Sequence, residues 1–333
     1  MTTQPSHLIV VGASAGGVGA LREFVAGLPV DLSAAVLVVL HLPPSGRSVL
    51  SAILDRAGPL PATAAREEAL SEGTVYTAVP DHHLLVSDSR IRLSRGPTEN
   101  RHRPGIDALF RSAAIEWGPR AMGVVLSGAL DDGAAGLALI KARGGVAIVQ
   151  DPEEADYRSM PDSALAATVV DHVLPAAKIG GAIQAEMLNR ETGSTPPVSG
   201  LDRLEARIDA GEQRGSEEVS EMMQPSGLAC PDCGGVLFTV AETERYRCRV
   251  GHAWTSSALL VEQDVEVQKS LWTALRALAE KQQLAERMSA AAAQRGQDRL
   301  ARRYAEYSDE NARAADVLRR LLYQSDGPGP DES

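Results

Sequence analysis

Three residues have the types and placement for nucleophilic catalysis: Ser14, His41 and Asp132. Ser14 lies in Gly12-Ala13-Ser14-Ala15-Gly16-Gly17, a literal G-x-S-x-G after the apolar run Leu8-Ile9-Val10-Val11. Strand, glycine turn and helix, in that order, lift a side chain off the end of a sheet. The glycines fit where a Cβ would clash. The helix expected from Val18 to Leu28 aims its N–H groups and positive dipole end at the same spot, around Ala15, Gly16 and Gly17. An oxyanion would develop there. His41 closes the run Ala34–Leu40 and is followed by Leu42-Pro43-Pro44. Asp132 follows Leu126-Ser127-Gly128-Ala129-Leu130-Asp131 and precedes Gly133. Serine needs a base to become a nucleophile, imidazole supplies one near neutral pH, and an aspartate fixes the imidazole tautomer.

Each residue also has a plainer reading. Ser14 can belong to a strand-to-helix turn of small residues, since the chain has 30 glycines. His41 can be a capped polar residue, and Asp131-Asp132-Gly133 an ordinary turn with a helix N-cap. A phosphate cradle is disfavoured because the G-x-G-x-x-G spacing and the lysine of a P-loop are absent. The joint placement of all three at strand ends is what favours catalysis.

A second constellation is separate. All three cysteines of the chain fall at Cys230, Cys233 and Cys248, with His252 four residues on. A C-x-x-C hook closed by a cysteine and a histidine is the donor set of a tetrahedral zinc site. Val236–Val240 and Arg245–Arg247 read as its hairpin. A redox C-x-x-C is the rival, but the βαβ context it needs is missing. A segment this short needs a staple to fold. A site with four protein ligands is closed, so zinc here is expected to be structural, with no cofactor for catalysis.

The elements that must position the triad are legible from residue 8 to about 188. Strand-like runs (Leu8–Val11, Ala34–Leu40, Met122–Leu126, Val146–Gln150) alternate with helical patterns. Continuous apolar runs suit strands covered on both faces. The alternation predicts an α/β fold with a doubly wound, mostly parallel, Rossmann-like sheet. In such sheets ligands bind at the carboxyl ends of the strands, where Ser14, His41 and Asp132 fall.

Composition removes several classes. A net charge of −11 argues against a basic nucleic-acid-binding face. No apolar run approaches the roughly 18 residues that span a bilayer. The first residues lack a basic and apolar leader, so a cytoplasmic location is expected.

The segment from Leu8 to Asn189 resembles the catalytic domain of the chemotaxis protein-glutamate methylesterase family (CheB). The likeness rests on the serine motif, His41-Leu42-Pro43, Gly73–Pro80, Arg103–Phe110, Leu126–Gly133, Gln150-Asp151-Pro152 and Ser159-Met160-Pro161, in the family's order. It implies a carboxylic ester hydrolase acting on glutamate γ-methyl esters of chemoreceptors, with methanol released. Many members also deamidate receptor glutamines. The implied triad is Ser14, His41 and Asp132. The implied partners are methylated chemoreceptor cytoplasmic helices and other chemosensory signalling proteins. Ala129 stands where the family commonly has a methionine whose N–H serves the oxyanion hole. Ala15 replaces a common threonine, and Asp131 a common Asn or Ala. Family members typically carry a receiver domain before the catalytic one. Only seven residues precede the first strand here, so control by a phosphodonor is not expected.

The expected organisation is a catalytic domain over 1–190, a mostly flexible linker over 191–227 with a short amphipathic helix at Leu201–Ala210, a zinc-ribbon-like module over 228–257, a helical hairpin over 258–324 and a disordered tail over 325–333. The tail with its ribbon resembles those of standalone CheB-like proteins. Residues 1–190 are expected to keep esterase activity alone. Two other readings stay open: a catalytically degenerate scaffold acting through the ribbon and helices, and an esterase for another ester.

Overall fold

A computed structural model describes residues 4–46, 48–189, 195–212, 217–240 and 243–324. It forms two compact units, one running to Leu259 and the other starting at Leu260.

The first unit is built on seven parallel strands, β1 (His7–Ala13), β2 (Ala34–Leu40), β3 (Ala62–Ala64), β4 (Thr74–Thr77), β7 (Ala121–Val125), β8 (Val146–Gln150) and β9 (His172–Leu174). Between β4 and β7 a hairpin, β5 (His83–Ser87) and β6 (Arg90–Ser94), stands outside that sheet. The sheet order is β3-β4-β2-β1-β7-β8-β9. Its order reverses between β1 and β7, and a reversal of this kind opens a crevice at the carboxyl ends of the two strands. Ser14 follows β1 and the Leu126–Asp132 loop follows β7, so both border that crevice.

The continuous apolar runs are explained by burial on both faces. Ile9 and Val11 of β1 pack on α1 (Gly17–Ala26), α2 (Leu50–Ala57) and α6 (Ala176–Asn189) through Leu21, Phe24, Leu54, Ile179 and Ile183. Leu8 and Val10 point the other way. They meet Ile106, Phe110, Ile140 and Met160 of α3 (Ile106–Trp117), α4 (Ala134–Ala142) and α5 (Ser159–Ala167). At about 25 cal/mol per Å² of apolar area, these two layers supply most of the drive to fold. Gly12 lets the start of α3 reach β1: a Cβ there would lie 2.3 Å from Ile106 Cγ2.

The stretch expected as a flexible linker differs where it is described. Ser199 caps α7 (Gly200–Asp209), accepting from the Asp202 N–H, and α8 is Glu217–Met222. Leu204, Ile208, Val219 and Met223 bury against Phe238 and Val240. The polar composition suggested a tether, yet Glu205 and Asp209 of α7 are buried and paired. Residues 191–194 and 213–216 of that stretch lie outside the described residues, as does the tail over 325–333.

The Cys/His segment forms an antiparallel sheet, β10 (Gln224–Ala229), β11 (Val236–Thr239), β12 (Arg245–Cys248) and β13 (Ala253–Thr255). It belongs to the first unit rather than to a module of its own. Backbone bonds from Ala253 N–H to the Thr98 carbonyl (3.0 Å) and from Asn100 N–H to the Ala253 carbonyl (2.9 Å) join it to the α/β layers. Beneath the junction lie three arginines, Arg111, Arg245 and Arg247, with three carboxylates, Glu99, Glu205 and Asp209. Arg247, with no solvent exposure, donates to Glu99 (2.6 Å), Glu205 (2.8 Å) and Asp209 (3.0 Å). Arg111 contacts Glu99 and Asp209, and Arg245 donates to Glu205 at 2.9 Å.

The second unit is a helical hairpin. The helices α9 (Ser256–Gln294) and α10 (Asp298–Gln324) turn at Gly296, whose φ of +69° suits a glycine. Leu271, Leu275 and Leu278 pack against Ala315, Leu318 and Leu322. Trp272 meets Tyr323 edge to face at 6.2 Å. No helix among the described residues is long and apolar enough to cross a membrane.

Candidate active site

Ser14 leaves β1 on the turn into α1. Its N–H donates to the Ser127 carbonyl at 3.0 Å, which ties the turn to the loop after β7. Gly128 makes room for it: a Cβ at Gly128 would lie 2.9 Å from Ser14 Cβ and 2.0 Å from Met160 Sδ. His41 extends β2 by donating its N–H to the Ala13 carbonyl at 3.2 Å. The imidazole therefore stands directly beside Ser14. Its Nδ1 lies 3.0 Å from Ser14 Oγ, and its Nε2 lies 2.8 Å from Asp132 Oδ2. Three residues spread over 119 positions (14 to 132) thus form one hydrogen-bonded line.

Asp132 is 3% exposed at its side chain. Burial alone would raise its carboxyl pKa. The His41 hydrogen bond and charge outweigh burial, together with the N–H groups of Ile106 and Asp107, and hold the pKa below the usual carboxylate range. Those N–H groups donate to Oδ2 at 2.8 Å and Oδ1 at 3.0 Å. The amino end of α3 thus keeps Asp132 ionised. The neighbouring Asp107 is pushed the other way, by burial first and by the Asp132 charge second. Its Oδ1 accepts from the Gly136 N–H.

Of the residues expected around the oxyanion, Gly17 is spent on the turn: its N–H donates to the Ser14 carbonyl at 2.9 Å. A Cβ there would meet Ala13 Cβ at 2.7 Å, so its role is close packing. Among the described residues no acceptor takes the N–H of Ala15, Gly16 or Ala129. The Ala15 carbonyl ties the turn to the scaffold by accepting from Ser127 Oγ at 2.9 Å. The cleft beside His41, about 450 Å³, is lined by Leu42, Pro43, Pro44, Thr98, His102 and Arg103 among others.

With this geometry in place, the comparison with known proteins is specific. Residues 9–183, more than half of the chain, match the CheB methylesterase family. The chain belongs to that family. It is 39% identical over 173 residues to a putative protein-glutamate methylesterase/protein-glutamine glutaminase of Leptospira interrogans, covering 51% of this chain and 90% of that protein. It is 35% identical over 190 residues to protein-glutamate methylesterase/protein-glutamine glutaminase 2 of Methanosarcina mazei, covering 54% and 52%. The CheB methylesterase catalytic domain of Thermotoga maritima superposes with a TM-score of 0.51 at 31% identity, covering 54% of this chain and 97% of that one.

This CheB-family site contains a residue that sequence reasoning passed over. His102 stacks face to face on His41, with ring centroids 3.8 Å apart and planes 5° from parallel. Burial first, then the nearby His41 charge, lowers its pKa to about 4. It follows a tight turn in which Glu99 and His102 exchange backbone hydrogen bonds, with Asn100 and Arg101 at positive φ. Its position beside the Arg103-Pro104-Gly105 motif was the available signal. Asp131, by contrast, faces away from His41 and accepts from Thr255 Oγ1 at 2.8 Å.

The four metal-ligand candidates converge. Cys230 Sγ and Cys248 Sγ lie 3.7 and 3.6 Å from His252 Nδ1, and Cys233 Sγ lies 3.6 Å from Cys248 Sγ. One tetrahedral zinc ion with ordinary bond lengths spaces its ligand atoms about 3.5–3.8 Å apart. The donor set and its spacing therefore fit such an ion, with no open position for a substrate.

Proposed function

We propose that this chain hydrolyses glutamate γ-methyl esters on chemoreceptor proteins through Ser14, His41 and Asp132. Ser14 Oγ attacks the ester carbonyl while His41 Nδ1 takes its proton. The N–H groups of Ala15, Gly16 and Ala129 are placed to receive the oxyanion. Collapse expels methoxide, which takes the proton from His41 and leaves as methanol. Water, deprotonated by His41, then cleaves the acyl-Ser14 ester and restores the serine with a free glutamate. Asp132 holds Nε2–H and stabilises the imidazolium. A glutamine side chain would give the same acyl-enzyme with ammonia as the leaving group, which accounts for deamidation.

The observation that carries this reading is the His41 ring, with one nitrogen on Ser14 and the other on a carboxylate kept ionised by α3. The test is methanol release from a methylated receptor fragment. The parent releases it, and Ser14→Ala releases it near background. A scaffold protein would release none in either form.

For the ribbon, we infer that Cys230, Cys233, Cys248 and His252 hold a structural zinc ion. When bound, the ion would cross-link β10–β13 by fixing deprotonated ligands. Elemental analysis of protein made with zinc present is expected to give one equivalent per chain. Absence of metal would contradict the assignment.

A further inference from the structure

The ribbon does not sit apart from the esterase site. It touches the loop that ends at Asp132 and the turn that leads to His102, the ring stacked on His41. On one side β13 pairs with Thr98–Asn100, through Ala253 N–H to the Thr98 carbonyl and Asn100 N–H to the Ala253 carbonyl. The Thr255 N–H adds a bond to Asn100 Oδ1 at 2.9 Å. Asp232, between the two hook cysteines, accepts from Thr98 Oγ1 at 2.8 Å. These bonds grip the turn that leads to His102, and His102 lies flat on His41.

On the other side the ribbon grips the loop that ends at Asp132. Leu130 adopts φ +64°, a left-handed conformation that a leucine disfavours. Its side chain packs on the ribbon's own core of Cys230, Leu237, Cys248, Trp254 and Leu259. Two of those core residues are metal-ligand candidates. The next residue, Asp131, is held by Thr255 Oγ1, and Thr255 Oγ1 also accepts from the Ala258 N–H. The residue after that is Asp132. One strand of three residues therefore fixes both the stacking partner of His41 and the approach to the Asp132 carboxylate.

We propose that the metal-bound ribbon is a positioning element of the esterase site, and that Thr255 is its principal positioning residue. This rests on the methylesterase reading above and adds a dependence of that site on the metal. The ion would order the Cys230–Cys248 core, the core would hold Leu130 in its unfavourable conformation, and β13 would hold the His102 turn. Loss of the ion frees Leu130 and Thr98–Arg103 to relax, and the Ser14–His41–Asp132 line loses its register. This revises the expectation that residues 1–190 keep full activity alone. A misplacement of about 1 Å costs up to about a hundredfold in rate.

The experiment uses the full chain, loaded with zinc and then stripped with a chelator, and a small γ-methyl ester of N-acetylglutamate amide. A small ester reads the site itself rather than docking of a receptor. Stripping is expected to lower kcat at least about tenfold and to slow fluorophosphonate labelling of Ser14 by a similar factor. Amide exchange should rise in peptides covering 98–105 and 128–134 while β2 and β7 stay protected, and added zinc should reverse all three changes. Thr255→Val, in loaded protein, is expected to lower kcat about threefold to tenfold with KM unchanged, and Thr255→Ser to restore it. Unchanged labelling and exchange after stripping would overturn the proposal. If stripping unfolds the sheet, the Thr255 pair decides: parental kcat in Thr255→Val overturns it. A loaded parent that neither cleaves the ester nor labels at Ser14 would sink the esterase reading instead. The exchange data would still report the brace.

Discussion

Polar groups are buried in two different ways in this chain. At the crevice, Ser14, His41 and Asp132 are held by backbone N–H and carbonyl groups of loops that end neighbouring parallel strands. Under the ribbon, three arginines and three carboxylates from distant segments hold one another. In the first arrangement each member lies in its own short local motif, although the members are 27 and 91 positions apart. The second balances its charge only when α7, the ribbon and the α3 region have come together. Local turn chemistry builds the crevice cluster, and long-range pairing attaches the Cys/His sheet beside it.

The comparison can be broken most severely at the crevice. His41→Ala removes base and acid together and is expected to cut ester hydrolysis by about 10⁴-fold or more, close to the loss in Ser14→Ala. Asp132→Asn is expected to cost less, because Ser14 and the ring remain, and the losses will not add. Steady-state kinetics on the small ester checks all three. Equal, additive losses would mean the residues do not act as one unit.

The charge network gives the next effect, on stability rather than rate. Arg247→Met leaves Glu99, Glu205 and Asp209 without their central partner. Breaking such a buried set costs about 3–5 kcal/mol, although a complete apolar replacement can be neutral. Denaturant unfolding would read it. A change below about 1 kcal/mol would place the network in solvent, against its burial.

A smaller effect links the regions through His102. Its folded pKa, about 4, lies below the ordinary histidine value of 6.5. Between those values the unfolded chain binds a proton that the folded chain does not. Its contribution to stability is therefore fully present above about 6.5 and falls as pH drops toward 4. His102→Phe keeps the stack and removes the titration. The variant should lose less stability than the parent across that window, by about 2 kcal/mol. Parallel melting curves at pH 7 and pH 4.5 measure it, and identical acid sensitivity would contradict it. The smallest effect is expected for Asp131→Asn, which still offers Thr255 an acceptor: less than about threefold in kcat. A loss larger than that of Asp132→Asn would move the carboxylate of the triad by one residue.

The sheet was legible because Leu8–Val11, Ala34–Leu40 and Val146–Gln150 are buried on both faces and read as unbroken apolar runs. Ser14 and His41 were legible as residues at strand ends and Asp132 as a residue of the loop after Met122–Leu126, and the three side chains meet. The convergence of Cys230, Cys233, Cys248 and His252 was legible from their spacing. What escaped was the docking between them. Glu205, Asp209 and Arg247 look like solvated charge in a polar stretch, and only pairing across 38 to 148 positions makes their burial tolerable. His102 escaped because its stacking on His41 joins rings 61 positions apart, which no local pattern encodes. Gly17 shows a finer limit, since its type suits an oxyanion donor while its N–H already closes the Ser14 turn.

The central claim is that Ser14, activated by His41, forms the bond that cleaves a glutamate γ-methyl ester. Its most direct measurement is acid-quenched peptide mass analysis during turnover of the small methyl ester, run beside methanol release. A γ-glutamyl adduct on the peptide bearing Ser14 in the parent, absent in Ser14→Ala along with methanol release, is the predicted result. Methanol release at the parental rate from Ser14→Ala, or an adduct on another residue, would contradict it.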